Sequence, residues 1–225
     1  MIKAIAFDLD DTLIATSEVL VPIASKAAFT AMSSKGVEVS FEIFDQERRQ
    51  MALSKSHQLI FRELAKKYGR PFNEDQVTAG IKAFYNPPLP SRLELMPGAE
   101  ENLKYLKEKY KLFLVTTGAI ETQREKAARS GISHYFQKMF FLNSFKKERK
   151  RLAFEEILQT EKLLPEQLLS VGNRLPLEIH DAKQLGCFTC YFKYGEHIGE
   201  VAQNSFENPD YTITRHQELI KVCQL

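Results

Sequence analysis

The sequence predicts an α/β protein, a parallel-sheet core interrupted by one inserted all-helical subdomain. Three observations predict it. Short apolar runs without alternation recur along the chain, as expected of strands buried on both faces. Helical patterns separate the later runs, and strand–helix alternation builds parallel sheets through right-handed crossovers. Between the first run and the second, residues 15–92 contain no clear strand.

Taken in order, the first strand is KAIAFD at 3–8. SEVLVPIASKAAFTAMSSKG, FEIFDQERRQMALSK, HQLIFRELAKKYG and NEDQVTAGIKAFY then read as four helices. NPPLPSRLELMPG follows, with four prolines in thirteen residues, which is linker chemistry. The expected division is therefore a core of 1–14 and 93–225 and an inserted helical unit of 15–92. Within the core, Leu103 and Leu106 mark a helix over 99–109, and KLFLVT a strand over 111–116. A charged helix at 121–130 stops before Gly131, and KMFFL gives a strand at 138–142. Leu152, Phe154, Ile157 and Leu158 mark a helix over 151–160 before a strand at 169–172. A helix over 176–185 starts at Pro176 and stops at Gly186, the usual asymmetry of helix ends. CFTCYF is a strand at 187–192, and the tail reads as a short strand in NPDYTIT and a closing helix in RHQELIKVC.

Composition narrows the function. Of 225 residues, 44% are hydrophobic, enough for a proper core. A net charge of +2 is too mild for a nucleic-acid surface. No apolar run approaches the roughly 20 residues that span a bilayer, and the first apolar run ends at acids rather than at a small-residue cleavage site. The expectation is a cytoplasmic protein with neither nucleic-acid nor membrane partners. Cys187 and Cys190 form a C-x-x-C, but on a strand residues three apart face opposite sides. With no second pair to complete a zinc site, they read as core thiols. The five histidines show no ligand spacing.

The chemistry gathers at strand ends. In open α/β sheets, ligands bind beyond the carboxyl ends of the strands. Strand one runs straight into Asp8, Asp10 and Asp11. Carboxylates crowded together repel, and a hard divalent cation such as Mg²⁺ relieves that repulsion. Strand two ends in Thr116, Thr117 and Gly118, offering hydroxyls and a close backbone approach. After strand three come Lys146, Lys147 and Lys150 as candidate cations. Strand four ends at Asn173, an oxygen donor, with the carboxylate of Glu178 five residues on. Acids, hydroxyl, lysine and oxygen donor together suit a phosphate bound through a metal.

This ordered set resembles the haloacid dehalogenase-like superfamily, in its phosphatase branch with a helical C1-type cap. DLDDTL matches the family's D-x-D-x-[TV]-[LV] motif, LFLVTTG its apolar run ending in Thr or Ser, and GNRLPLE its G-D-x-x-x-x-D. The resemblance implies a Rossmann-like core with 15–92 as the cap, and a Mg²⁺-dependent phosphohydrolase acting on a small phosphorylated metabolite. It implies Asp8 as nucleophile forming an aspartyl-phosphate and Asp10 as acid and base. Thr116, with Thr117 and Gly118, and the lysine would hold the phosphoryl oxygens. Mg²⁺ would bind through Asp8, the Asp10 carbonyl, and Asn173 or Glu178. The family's lysine lies just before a helix, which favours Lys147, with Lys146 and Lys150 as the alternatives. Two positions depart from the pattern: Asn173 stands where Asp is usual, and Glu178 where a second Asp is usual.

Three other readings compete. Carbon–halogen hydrolysis needs the nucleophile but no acid for the leaving group, and Asp10 argues against it. A phosphomutase would use both acids. A non-catalytic binding or regulatory module on the same scaffold draws its support from Asn173. Within the helical insert, Arg48, Arg49 and Lys55 are candidates to meet an anionic substrate.

Overall fold

The computed structural model describes residues 1–225. In chain order the elements are β1 (Ala4–Phe7), then helices α1 (Thr16–Val19), α2 (Val21–Ser33), α3 (Phe41–Ala52), α4 (His57–Tyr68), α5 (Glu74–Tyr85) and α6 (Ala99–Lys107). They continue with β2 (Lys111–Gly118), α7 (Ile120–Arg129), β3 (Lys138–Asn143), α8 (Lys150–Thr160), β4 (Leu168–Gly172), α9 (His180–Gln184), β5 (Phe188–Phe192), β6 (Tyr211–Ile213) and α10 (Leu219–Val222). The chain forms two units. One comprises residues 1–15, 90–195 and 200–225, the other residues 16–89 with the short segment 196–199. No helix is long and apolar enough to cross a membrane.

The first unit is a six-stranded sheet in the order β3-β2-β1-β4-β5-β6, with every pairing parallel. Every residue of β1 and β4 is buried, which is why their sequences are apolar on both faces. On one face Ala4, Ala6, Phe113 and Val115 pack against Phe154 and Ile157 of α8. After β1 the chain builds outward through β2 and β3, then crosses back to place β4 on the other side. β1 therefore lies at the topological switch point, where the crossovers diverge and leave a crevice at the carboxyl edge. Its register sets Phe7 level with Leu114 of β2 and Val171 of β4. Asp8, Thr116 and Asn173 consequently emerge at the same edge.

The second unit has its own core, in which Phe44, Phe61, Leu64, Val77 and Met32 are buried together. Ser40 caps α3 by accepting from the Ile43 amide, and Asn73 with Gln76 forms a capping box on α5. Arg48 is only 2% exposed. Its guanidinium is matched by Asp45 at 3.0 Å and by Glu196 at 2.6 Å, so no charge is buried alone.

Several elements differ from the sequence expectation. The first helical segment is two helices, α1 and α2, because Pro22 lacks the N–H that would continue one into the other. The segment at 176–185 opens as a wide π-type turn, Leu175–Ile179, before α9 begins. Residues 196–199 group with the helices rather than with the sheet. Cys187 and Cys190 are core thiols as the sequence predicts, and all three cysteines are free and buried.

Candidate active site at the carboxyl edge of the sheet

Two ion-pair clusters stand where β1 ends. In the first, the Lys150 ammonium donates to Asp8 Oδ1 at 2.6 Å and to Glu178 Oε2 at 2.8 Å. All three side chains are buried. In the second, Lys126 donates to Asp10 Oδ1 at 2.7 Å. Gln123 Nε2 donates to Asp10 Oδ2 at 2.6 Å and to Thr116 Oγ1 at 2.6 Å.

Local structure explains each placement. The Asp8 amide continues the sheet by donating to the Val171 carbonyl at 2.9 Å, and the chain turns immediately afterwards. Asp11 takes a left-handed conformation, φ 52°, which Asp tolerates better than most residues. Lys150 is the first residue of α8, and the buried face of that helix is Lys150, Ala153, Phe154 and Ile157. The start of α8 is pinned by Asp181, which accepts from the Arg149 guanidinium at 3.0 Å and from the Arg151 amide at 3.1 Å. An acid there also satisfies the unpaired amides and positive end of the helix. Glu178 reaches Lys150 across Gly172: a Cβ at Gly172 would lie 2.4 Å from the Glu178 side chain.

Burial pushes the Asp8 carboxyl up to about 7, even though Lys150 pulls it down; Glu178 and Asp10 add to the upward push. Asp8 and Glu178 in turn raise the Lys150 ammonium despite its burial and keep it charged. Two buried carboxylates thus share one ammonium, and the pocket around Asp8 carries surplus negative charge. A cation or a proton must answer it.

The lysine at Asp8 is Lys150. Lys147, expected there, is exposed and sits in a left-handed turn at φ 56°, while Lys146 is also exposed. Glu178, the alternative to Asn173 as a metal donor, accepts from Lys150 at one oxygen and from the Arg174 amide at the other, at 2.7 Å. The Asp10 carboxylate is similarly engaged at both oxygens. Gly118 is buried with Gln123 beside it, where a Cβ would meet that side chain at 2.8 Å. Thr117 is half-buried and level with Leu142 of β3. Gln123 and Lys126 carry no signal in the sequence, where 121–130 reads as an ordinary charged helix.

The oxygen donors gathered at this edge are the Asp8 carboxylate, Asp10, the Asn173 amide oxygen and, behind them, the Glu178 carboxylate. Asn173 donates its Nδ2 to the Tyr194 carbonyl at 3.3 Å, which assigns its oxygen the opposite direction. No group of three His, Cys, Asp or Glu side chains is spaced to hold an ion. One carboxylate beside neutral oxygens, in a pocket with surplus negative charge, still fits Mg²⁺, which uses few protein ligands and retains water.

Known proteins resemble this chain over nearly its whole length. The family model described as haloacid dehalogenase-like hydrolase matches residues 2–186. The glyceraldehyde 3-phosphate phosphatase of Pyrococcus furiosus is 32% identical, the match covering 99% of this chain and 93% of that protein. The enzyme of the same name from Methanopyrus kandleri is 29% identical over 100% of this chain and 98% of that protein. Among solved structures, a predicted phosphoglycolate phosphatase from Haemophilus somnus superimposes with a TM-score of 0.75 at 21% identity, covering 98% of this chain and 97% of that one. The HAD-hydrolase YfnB from Bacillus subtilis, solved bound to magnesium, gives 0.66 at 19% identity over 98% of this chain and 97% of its own. With its parallel sheet, its Asp8–Lys150–Glu178 cluster and these full-length relatives, the chain belongs to the haloacid dehalogenase-like hydrolases, as an enzyme of their helically capped phosphatase branch.

Proposed function

We propose that this protein is a Mg²⁺-dependent phosphohydrolase that cleaves a small cytoplasmic phosphomonoester through an aspartyl-phosphate on Asp8. One observation carries the reading: Asp8, at the end of the central strand, has one carboxylate oxygen fixed by a buried lysine at 2.6 Å. In this reading the two roles divide between its two oxygens, one attacking phosphorus and the other meeting the cation. Full-length relatives named for glyceraldehyde 3-phosphate support a triose-sized substrate. In this reading residues 15–92 are the cap.

Asp8 attacks phosphorus in line, an Asp8 oxygen–phosphorus bond forms, and the ester P–O bond breaks. The leaving oxygen takes its proton from Asp10. Water then attacks the same phosphorus, gives its proton to Asp10, and releases phosphate and free Asp8. Such acid–base help is worth roughly 10²–10⁴-fold. Lys150 and the Thr116 hydroxyl offset charge on the phosphoryl oxygens. Mg²⁺, when held by Asp8, the Asp10 carbonyl and Asn173, supplies the charge neutralisation that lets an anionic nucleophile approach an anionic phosphate.

The test is phosphate release from glyceraldehyde 3-phosphate and from an aryl phosphate, with Mg²⁺ and with a chelator, beside Asp8→Asn. Metal-dependent release that disappears in the variant is expected. Release that persists in Asp8→Asn overturns the covalent role, and no release under any condition returns the protein to the binding-module reading.

A further inference from the structure

We propose that Gln123 and Lys126 are positioning residues for proton transfer to the leaving group, acting through Asp10 and Thr116. The inference rests on the phosphohydrolase reading above. Gln123 and Lys126 lie three residues apart on α7 and therefore share one helix face. That face is buried: Gln123 is 2% exposed and Lys126 8%. A helix face turned inward with an amide and an ammonium, rather than with leucines, needs a partner of matching chemistry.

Asp10 is that partner, and the hydrogen-bond directions are chemically fixed. A carboxylate only accepts, so Gln123 must turn its NH₂ toward Asp10. An NH₂ has two hydrogens. One goes to Asp10 Oδ2 at 2.6 Å and the other to Thr116 Oγ1 at 2.6 Å. Lys126 holds the remaining Asp10 oxygen at 2.7 Å. Two consequences follow. Thr116 accepts from Gln123, so its own hydroxyl hydrogen is left to donate to an anionic oxygen. Asp10 is surrounded as the carboxylate it becomes once its proton has passed to the leaving oxygen. Lys126 and Gln123 thus meet the charge that appears on Asp10 as the ester bond breaks, and they fix where that carboxylate stands.

A leaving group that needs no proton separates this role from a merely structural one. We would measure kcat/KM, which reports the phosphorylation step, for 4-nitrophenyl phosphate and for an alkyl phosphate such as glycerol phosphate. The proteins are the native chain, Gln123→Leu, Lys126→Met, Lys126→Arg and Asp10→Asn. The expected result is a loss on the alkyl ester of the order of 10²-fold in Lys126→Met and Gln123→Leu. The nitrophenyl ester should lose about tenfold less, Asp10→Asn should show the same selectivity, and Lys126→Arg should recover most of the loss. The ratio of the two substrates within one sample does not depend on the fraction folded. Equal losses on both esters overturn the positioning role. A native chain that hydrolyses neither ester overturns the phosphohydrolase reading itself, and the roles of Gln123 and Lys126 with it.

Discussion

Lys150 and Asp8 are 142 residues apart in the chain, yet the ammonium and carboxylate lie 2.6 Å apart, buried at the end of the central strand. Glu178 completes the contact at 2.8 Å. Lys150→Met should therefore cost catalysis about 10²-fold or more, the usual loss on removing one preorganised donor at a charged transition state. It should also lower stability, since two buried carboxylates would lose their shared cation. Lys147→Ala should stay within about twofold of the native rate, because its side chain is exposed. Steady-state phosphate release and a thermal melt on both variants check this.

Asn173→Asp should tighten Mg²⁺ binding by roughly an order of magnitude, because the extra ligand charge adds directly to cation affinity. The same change sets a carboxylate against the Tyr194 carbonyl that now accepts from the amide at 3.3 Å. The metal-free variant should melt below the native protein. Calorimetric titration with Mg²⁺ and a melt in chelator read the two effects separately.

Gly172→Ala tests the packing that lets Glu178 reach Lys150. The added Cβ would lie 2.4 Å from Glu178, so the carboxylate must move. A stability loss of about 1–3 kcal/mol is expected from overpacking. Denaturant unfolding measures it, and activity should fall with it.

The helical unit carries its own pH dependence. Burial opposes ionisation of Glu196, but the His57 hydrogen bond and the Arg48 charge outweigh it and hold the carboxyl down to about 2. A depressed carboxylate stabilises the fold above its unfolded value of 4.5, and that contribution is lost as pH falls toward about 2. Over this window Glu196 should account for a loss of about 3 kcal/mol. Glu196→Gln should be destabilised at neutral pH by a similar amount and should lack that part of the acid transition in denaturant melts.

The sheet is legible in the sequence because β1 and β4 are buried on both faces and must be apolar throughout. The strand ends are legible for a related reason: acids and hydroxyls that abut such runs have nowhere to go but the carboxyl edge. Lys150 is one of three candidate lysines in the sequence, and a helix read from 151 leaves it outside the periodic face. The spacing Lys150, Phe154, Ile157 nevertheless places it on the buried face, and that periodicity could have picked it out over Lys147. Gln123 and Lys126 left no such trace, since a polar face turned toward polar partners has the same composition as one turned toward water. The π-type turn at Leu175–Ile179 and the grouping of residues 196–199 with the helices depend on contacts distant in the chain, which local patterns do not encode.

The covalent role of Asp8 is tested most directly by trapping it. Native protein turning over glyceraldehyde 3-phosphate with Mg²⁺ would be quenched in acid within the first turnovers, digested, and its peptides weighed by mass spectrometry. The account predicts one added phosphoryl group on the peptide spanning Asp8, absent from Asp8→Asn and from samples without substrate. A phosphoryl group on another residue, or an unmodified Asp8 peptide in an Asp8→Asn variant that still turns substrate over, would contradict it.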